Sequence, residues 1–262
     1  ALTAPADRAR SPERANALVR AGGFALYEGD AAAARPLVEE SLAISHALGD
    51  RRGEARCQSA LAVIATYAGE MEVARDRAAA SLALYRELGE AHGAALALHN
   101  MGDATLRGGD PAGAAPLYEQ AIAALRSTGD ARSLALALSD YAMVALRLGD
   151  LRQAEARFAE ALEHARALGA PREGVYALEG VAELAEGRDE PERAAEWLGV
   201  AGAARATLAL PLTPAEKAEH RTLLARLEAR LGADFVARAM RPETEARWED
   251  AVDRALTWLR VP

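Results

Sequence analysis

Apolar residues recur at spacings of three and four along most of the chain, as at Leu134, Leu136, Leu138, Tyr141, Val144, Ala145 and Leu148. That rhythm predicts amphipathic helices. Their boundaries are periodic as well. Glycine stands at 29, 49, 69, 89, 109, 129, 149 and 169, and Asp or Glu follows it at 30, 50, 70, 90, 110, 130 and 150. The roughly seventeen residues between turns make a helix of about 26 Å at 1.5 Å per residue. Each glycine can take the left-handed conformation that closes a helix, and the acid after it can cap the next one. Pro111 and Pro171 sit in the first turn of the following helix, where a missing N–H does no harm. An interval this long predicts a repeat architecture, not a ligand loop.

Two helices make a forty-residue unit, and aligning five units exposes columns of matched size. One is Ala34, Ala74, Ala114, Ala154 and Ala194; a second is Gly22, Ala62, Gly102, Ala142 and Ala182; a third is Ser41, Ser81, Ala121, Ala161 and Ala201. Small side chains there let neighbouring helices approach, while Val38, Tyr118, Phe158 and Leu198 fill the space between them. The expectation is an all-α, right-handed superhelix of about five helical hairpins. Residues 1–11 form a disordered or extended lead-in. The hairpins fall near 12–49, 50–89, 90–129, 130–169 and 170–208, and a C-terminal helical cap occupies 209–262.

The fifth unit departs from the pattern, with Gly187 two residues ahead of the period. Beyond it, Thr213-Pro214 begins a helix that runs to Leu231 and ends at Gly232. A short helix covers Ala233 to Met240, and Pro242 starts a last one carrying Trp248, Val252, Leu256 and Trp258. These three helices do not repeat, and an exposed solenoid end needs cover.

Composition narrows function more than fold. Hydrophobic residues make up 51% and aromatic ones only 5%, so burial must come from close packing of small side chains. A net charge of −8 repels a phosphate backbone, which argues against direct nucleic-acid binding. Cys57 is the single cysteine, so no disulfide can form within the chain. No apolar run approaches a membrane span and no signal core is present, so a cytoplasmic location is expected. A start at Ala-Leu-Thr, without Met, fits a processed protein or a piece of a longer one.

The columns carry a resemblance. In the third unit Met101-Gly102, Gly109, Ala114, Tyr118 and Ala121-Ile122, and in the fourth Tyr141-Ala142, Gly149, Ala154, Phe158 and Ala161-Leu162, resemble the tetratricopeptide repeat. That repeat is usually 34 residues long, so these units have longer helices or turns. HEAT and armadillo repeats also run to about forty residues but do not predict the small-residue columns. A second resemblance lies in PERAAEWLGVAGAAR, LPLTPAEKAEHRTLLARLEARLGADF and WEDAVDRAL. With the ALGD joints, these segments are similar to the C-terminal sensor region of bacterial predicted-ATPase transcriptional regulators of the LuxR and related types. That likeness implies a regulatory module that binds an effector or partner and biases a signal-transduction NTPase domain elsewhere in a parent protein. The family's phosphate loop is absent, since Lys217 follows no glycine loop, and no DNA-reading helix-turn-helix stands out.

In such a superhelix the first helix of each hairpin lines the concave groove. The candidate ligand- or peptide-binding residues are Arg56, Tyr67, His99, Asn100, Asp103, Arg107, Asp140, Met143, Arg147, Tyr176 and Glu179. Asn100 resembles the groove asparagine with which tetratricopeptide proteins hold a bound peptide, and Arg107 with Arg147 could pair an anionic group. A ladder of surface salt bridges accounts for the same residues equally well.

Catalysis finds no motif. The five histidines are scattered without an i,i+4 pair, and nothing resembles a GxSxG elbow or a Cys-His pair. Adjacent acids such as Glu39-Glu40 diverge on a helix. The expected function is therefore non-enzymatic, with no catalytic residue, metal or cofactor. The partners are a protein, a peptide or a small-molecule effector. A free-standing scaffold without an NTPase is the alternative, and an enzyme with a site assembled across the groove is a third possibility.

Overall fold

The computed structural model describes residues 11–210, 212, 214–241 and 247–260, without the side chains of 214 and 215. Thr213, Pro242 and the lead-in at 1–10 lie outside the described residues. Among those described there are thirteen α-helices and no strand. They fall into two compact units that meet at Thr128 and Gly129.

The first unit holds three hairpins: α1 (Pro12–Tyr27) with α2 (Ala31–Ala47), α3 (Arg51–Tyr67) with α4 (Met71–Glu87), and α5 (Ala91–Arg107) with α6 (Pro111–Thr128). The second holds two more, α7 (Ala131–Arg147) with α8 (Leu151–Leu168) and α9 (Pro171–Gly187) with α10 (Pro191–Thr207). Three further helices follow: α11 (Pro214–Leu231), α12 (Ala233–Ala239) and α13 (Trp248–Leu259).

The periodic glycines all take positive φ, from 57° at Gly169 to 87° at Gly109. The N–H one residue later reaches back five residues to a carbonyl of the closing turn, as from Asp50 to Ser45 and from Asp150 to Ala145, both 2.9 Å. That bond satisfies a helix-end acceptor. Asp30, Asp50, Asp110, Asp130 and Asp150 then accept from the backbone N–H three residues on. Glu70 and Glu90, one methylene longer, make no such side-chain cap.

The fifth hairpin corrects the sequence reading. Gly187 is the last residue of α9, and its turn stays in register at Asp189, which takes φ 64°; Ala209, twenty residues on, takes φ 50°. The period therefore continues through two residues that are not glycine. Asp tolerates the left-handed region because its short polar side chain can bond locally, whereas Ala has no such compensation.

The expected columns are buried. Every alanine of the 34-to-194 column is fully inaccessible, and Val38, Tyr118, Phe158 and Leu198 are buried beside them. A Cβ built on Gly102 would stand 2.9 Å from the Tyr118 ring, and one on Gly22 would stand 2.6 Å from Val38. Ser41 and Ser81 donate to the carbonyls of Ala15 and Ala55, at 2.7 and 2.9 Å, tying second helix to first.

In the second unit α11 and α12 pack on α10, whereas α13 lies back across α8, α9 and α10. Gly199 permits the approach of α12, since a Cβ there would meet the Ala239 carbonyl at 2.6 Å. Trp248 and Trp258 are both buried by the chain itself.

Candidate functional site

Within the first unit, the first helices α1, α3 and α5 are linked by polar side chains. Arg56 Nη2 donates to Asn16 Oδ1 at 2.8 Å, and Asn100 Nδ2 donates to Ser59 Oγ at 2.9 Å. These rungs join positions 40 and 41 residues apart, so they follow from the repeat itself. Asn100 and Asp103 are half-buried, while Arg56, Tyr67 and Arg107 are exposed. Arg107 Nε donates to Asp103 Oδ1 at 2.8 Å, one helical turn away. The half-buried His99 ring meets the edge of the Tyr118 ring with centroids 5.5 Å apart and planes at 81°.

The second unit has a comparable rung. Tyr176 of α9 donates its hydroxyl to Asp140 Oδ1 of α7 at 2.7 Å. Met143 is half-buried and Arg147 stands at the end of α7. The candidate residues thus divide between the units, with Arg56, Tyr67, His99, Asn100, Asp103 and Arg107 on first helices of the first and Asp140, Met143, Arg147 and Tyr176 on first helices of the second.

Glu179 departs from the expected groove position. It is buried, with both oxygens bonded by Arg205 of α10: Nε meets Oε1 and Nη2 meets Oε2 at 2.8 Å. His220 Nε2 of α11 lies 3.1 Å from Oε1, and Glu216 adds a contact to Arg205 at 3.3 Å. Burial by itself raises the Glu179 pKa, but the bonds from Arg205 and His220 outweigh it and hold the carboxyl below its ordinary range. The reason is nonlocal. Helix α11 sends its side chains onto this part of α9, and Arg226 continues the contact by bonding Glu183 at 2.6 Å. The part of the fifth hairpin's predicted binding face at Glu179 and Glu183 is thereby taken up in holding α11, while Tyr176 pairs with Asp140.

Sequence reasoning missed Asn16, although it stands forty residues before Arg56 in the same column. The salt-bridge ladder that the sequence allowed is present in part, since Arg107 pairs with Asp103, but the bonds between helices join Arg56 to Asn16 and Asn100 to Ser59. Each rung leaves polar edges where a core would demand none, so the faces can hydrogen-bond a partner. Among the described residues no three of His, Cys, Asp or Glu are grouped to hold a metal ion. Within the same residues no helix is long and apolar enough to cross a membrane.

Comparison with known proteins bears on the repeats. The tetratricopeptide-repeat family model matches residues 13–87 and again 61–127. No curated protein matches the chain. Among solved structures it is similar to BtubC (BKLC) from P. vanneervenii, at 17% identity and a TM-score of 0.60, over 79% of this chain and 89% of that one. It is also similar to the nearly identical TPR-like repeats of a kinesin light chain candidate from Podosopora anserina. There the identity is 18% and the TM-score 0.55, over 77% of this chain and 99% of that one. A singly substituted form of the same repeats gives a TM-score of 0.56 at 18% identity, over 76% and 98%. At such identities the likeness is one of fold.

Proposed function

We propose that this chain, which carries tetratricopeptide repeats over residues 13–127 within a tetratricopeptide-repeat fold, is a non-catalytic protein-interaction scaffold that holds a peptide or protein segment on the polar faces of its first helices. The observation that carries this reading is the set of rungs between consecutive first helices, Arg56 with Asn16 and Asn100 with Ser59. They spread donors and acceptors at roughly repeat spacing, which suits the regularly spaced carbonyl and N–H groups of an extended segment. Asn100 and Arg107 are the residues expected to carry most of the contact. Arg107 exchanges its bond to Asp103 for a partner's acid.

The finer reading places this scaffold as the sensor part of an NTPase-type transcriptional regulator. Its support is the similarity of residues 191–205, 210–235 and 248–256 to the corresponding segments of such regulators. The reading frame upstream of Ala1 tests it: a phosphate-loop segment there supports the regulator, and a nearby start codon leaves the free-standing scaffold.

A thermal-shift screen of peptides and metabolites, repeated with Asn100→Ala and Arg107→Ala, tests the binding face. The expected result is a peptide whose stabilisation is lost in both variants. A hit that both variants retain refutes the placement.

A further inference from the structure

All three tryptophans of the chain fall between 197 and 258. Two of them meet in the second unit: Trp197 of α10 and Trp258 of α13 lie with ring centroids 6.1 Å apart. Arginines shelve the pair. The Arg188 guanidinium carbon stands 4.5 Å over the Trp258 ring, Arg193 stands 5.9 Å from it, and Arg254 stands 5.7 Å over Trp197. Together with Arg152 of α8 these groups line an open groove of about 1310 Å³ between α8, α10 and α13. It lies on second helices, away from the first-helix faces described above.

The charges in this groove are unevenly matched. Arg188 is bonded to Glu155 at 2.6 Å, Arg193 pairs with Glu190 at 3.4 Å, and Asp253 is held by Arg166. Arg152 and Arg254, both exposed, have no carboxylate within pairing distance among the described residues, and Glu196 is the one lining acid left to oppose them. Trp197 is 5% exposed, and its indole N–H has no acceptor among the same residues. A guanidinium stacked on an indole keeps its N–H edge free for a planar oxyanion. The groove also exceeds the roughly 300–1,000 Å³ of small-molecule sites and is open to solvent, which suits a segment of chain.

We propose that this groove binds an acidic peptide segment, with carboxylates paired to Arg152 and Arg254. The chain as a whole carries −8 and the groove's four arginines are balanced by four acids, so an acidic peptide must be held by the two arginines without an ion-pair partner among the described residues, Arg152 and Arg254. Arginine suits such pairing because its planar guanidinium can bond a carboxylate bidentately, and Arg254 has the Trp197 ring beneath it at 5.7 Å.

The test uses fluorescein-labelled hexaglutamate, measured by anisotropy at low salt, with hexaserine, hexalysine and inorganic phosphate as competitors. Hexaglutamate binding is expected to weaken about tenfold or more in Arg152→Ala and in Arg254→Ala, as for loss of a charge-assisted hydrogen bond. Arg254→Lys should fall between wild type and Arg254→Ala, because charge persists without stacking. Both arginines are exposed, and unchanged circular dichroism separates lost binding from lost fold. No binding, or wild-type binding by both alanine variants, overturns the proposal. Competition by phosphate at the concentration of hexaglutamate overturns the peptide assignment in favour of a small anion. Binding abolished instead by Asn100→Ala assigns the peptide to the first-helix face and overturns the groove.

Discussion

Replacing Ala209 with glycine should stabilise the protein, and replacing Gly149 with alanine should destabilise it. Both residues occupy the closing turn of a hairpin helix, with φ 50° at Ala209 and 78° at Gly149. An L-residue there suffers a Cβ–carbonyl clash of roughly 1–2 kcal/mol. Glycine escapes the clash but loses about 0.5–1 kcal/mol more backbone entropy on folding. The difference leaves Ala209→Gly about 0.5–1 kcal/mol more stable and Gly149→Ala less stable by a similar amount. No packing effect confuses the second substitution, because a Cβ built on Gly149 meets nothing within 4 Å. For a chain of this size that is a shift of about 1–4 °C in melting temperature, upward for one variant and downward for the other. Urea unfolding followed by circular dichroism at 222 nm measures both. The same sign for the two variants, or a destabilised Ala209→Gly, would refute the argument that the twenty-residue period continues through position 209. Asp189 is less suited to this test because it also pairs with Arg230.

Packing and charge give further expectations. Gly180→Ala should destabilise by about 1–3 kcal/mol, since its Cβ would stand 2.2 Å from the Phe158 ring. By contrast Gly202→Ala, in open space on α10, should gain up to about 1 kcal/mol, and equilibrium unfolding separates the two. Arg205→Met leaves the buried Glu179 carboxylate with His220 alone and should lose up to about 3–5 kcal/mol, most of it recovered in Glu179→Leu/Arg205→Met. Because the Glu179 pKa is depressed on folding, its contribution is full above the ordinary carboxylate range and fades as pH falls through the lowered value. Unfolding midpoints between pH 5 and pH 2 should therefore drop less steeply in Glu179→Gln. Cys57 is buried, donates to Ser41 Oγ at 3.3 Å, and has its thiol pKa raised by burial. It should react with a disulfide reagent only as fast as the first unit opens, and a rate matching an exposed thiol would contradict that.

The parts of this fold that could be read in advance are those that depend on near neighbours. Glycine at the turn, aspartate after it and alanine at the helix crossings each obey a rule that spans a few residues. The period hides these rules only where a different residue satisfies them, as at Asp189 and Ala209. The face of α9 could not be read in this way. Glu179 occupies the same column as His99, but Arg205 of its own hairpin and His220 of the docked α11 together take up its carboxylate. The groove beside Trp197 was equally hidden, since α13 arrives there from about sixty residues downstream to cover α8 and α10. On the polar faces the residue types were legible, but their pairing was not. A rung needs two helices at once, and the alignment of columns shows it only when position 16 is set beside position 56.

The scaffold reading rests on the first-helix face of the first unit. Benzoylphenylalanine placed at position 103 on α5, or at position 119 on the exposed side of α6, would report which face a partner covers. With the peptide selected by the thermal-shift screen, the account predicts efficient photo-crosslinking from position 103 and little from 119. Crosslinking from 119 alone would contradict it.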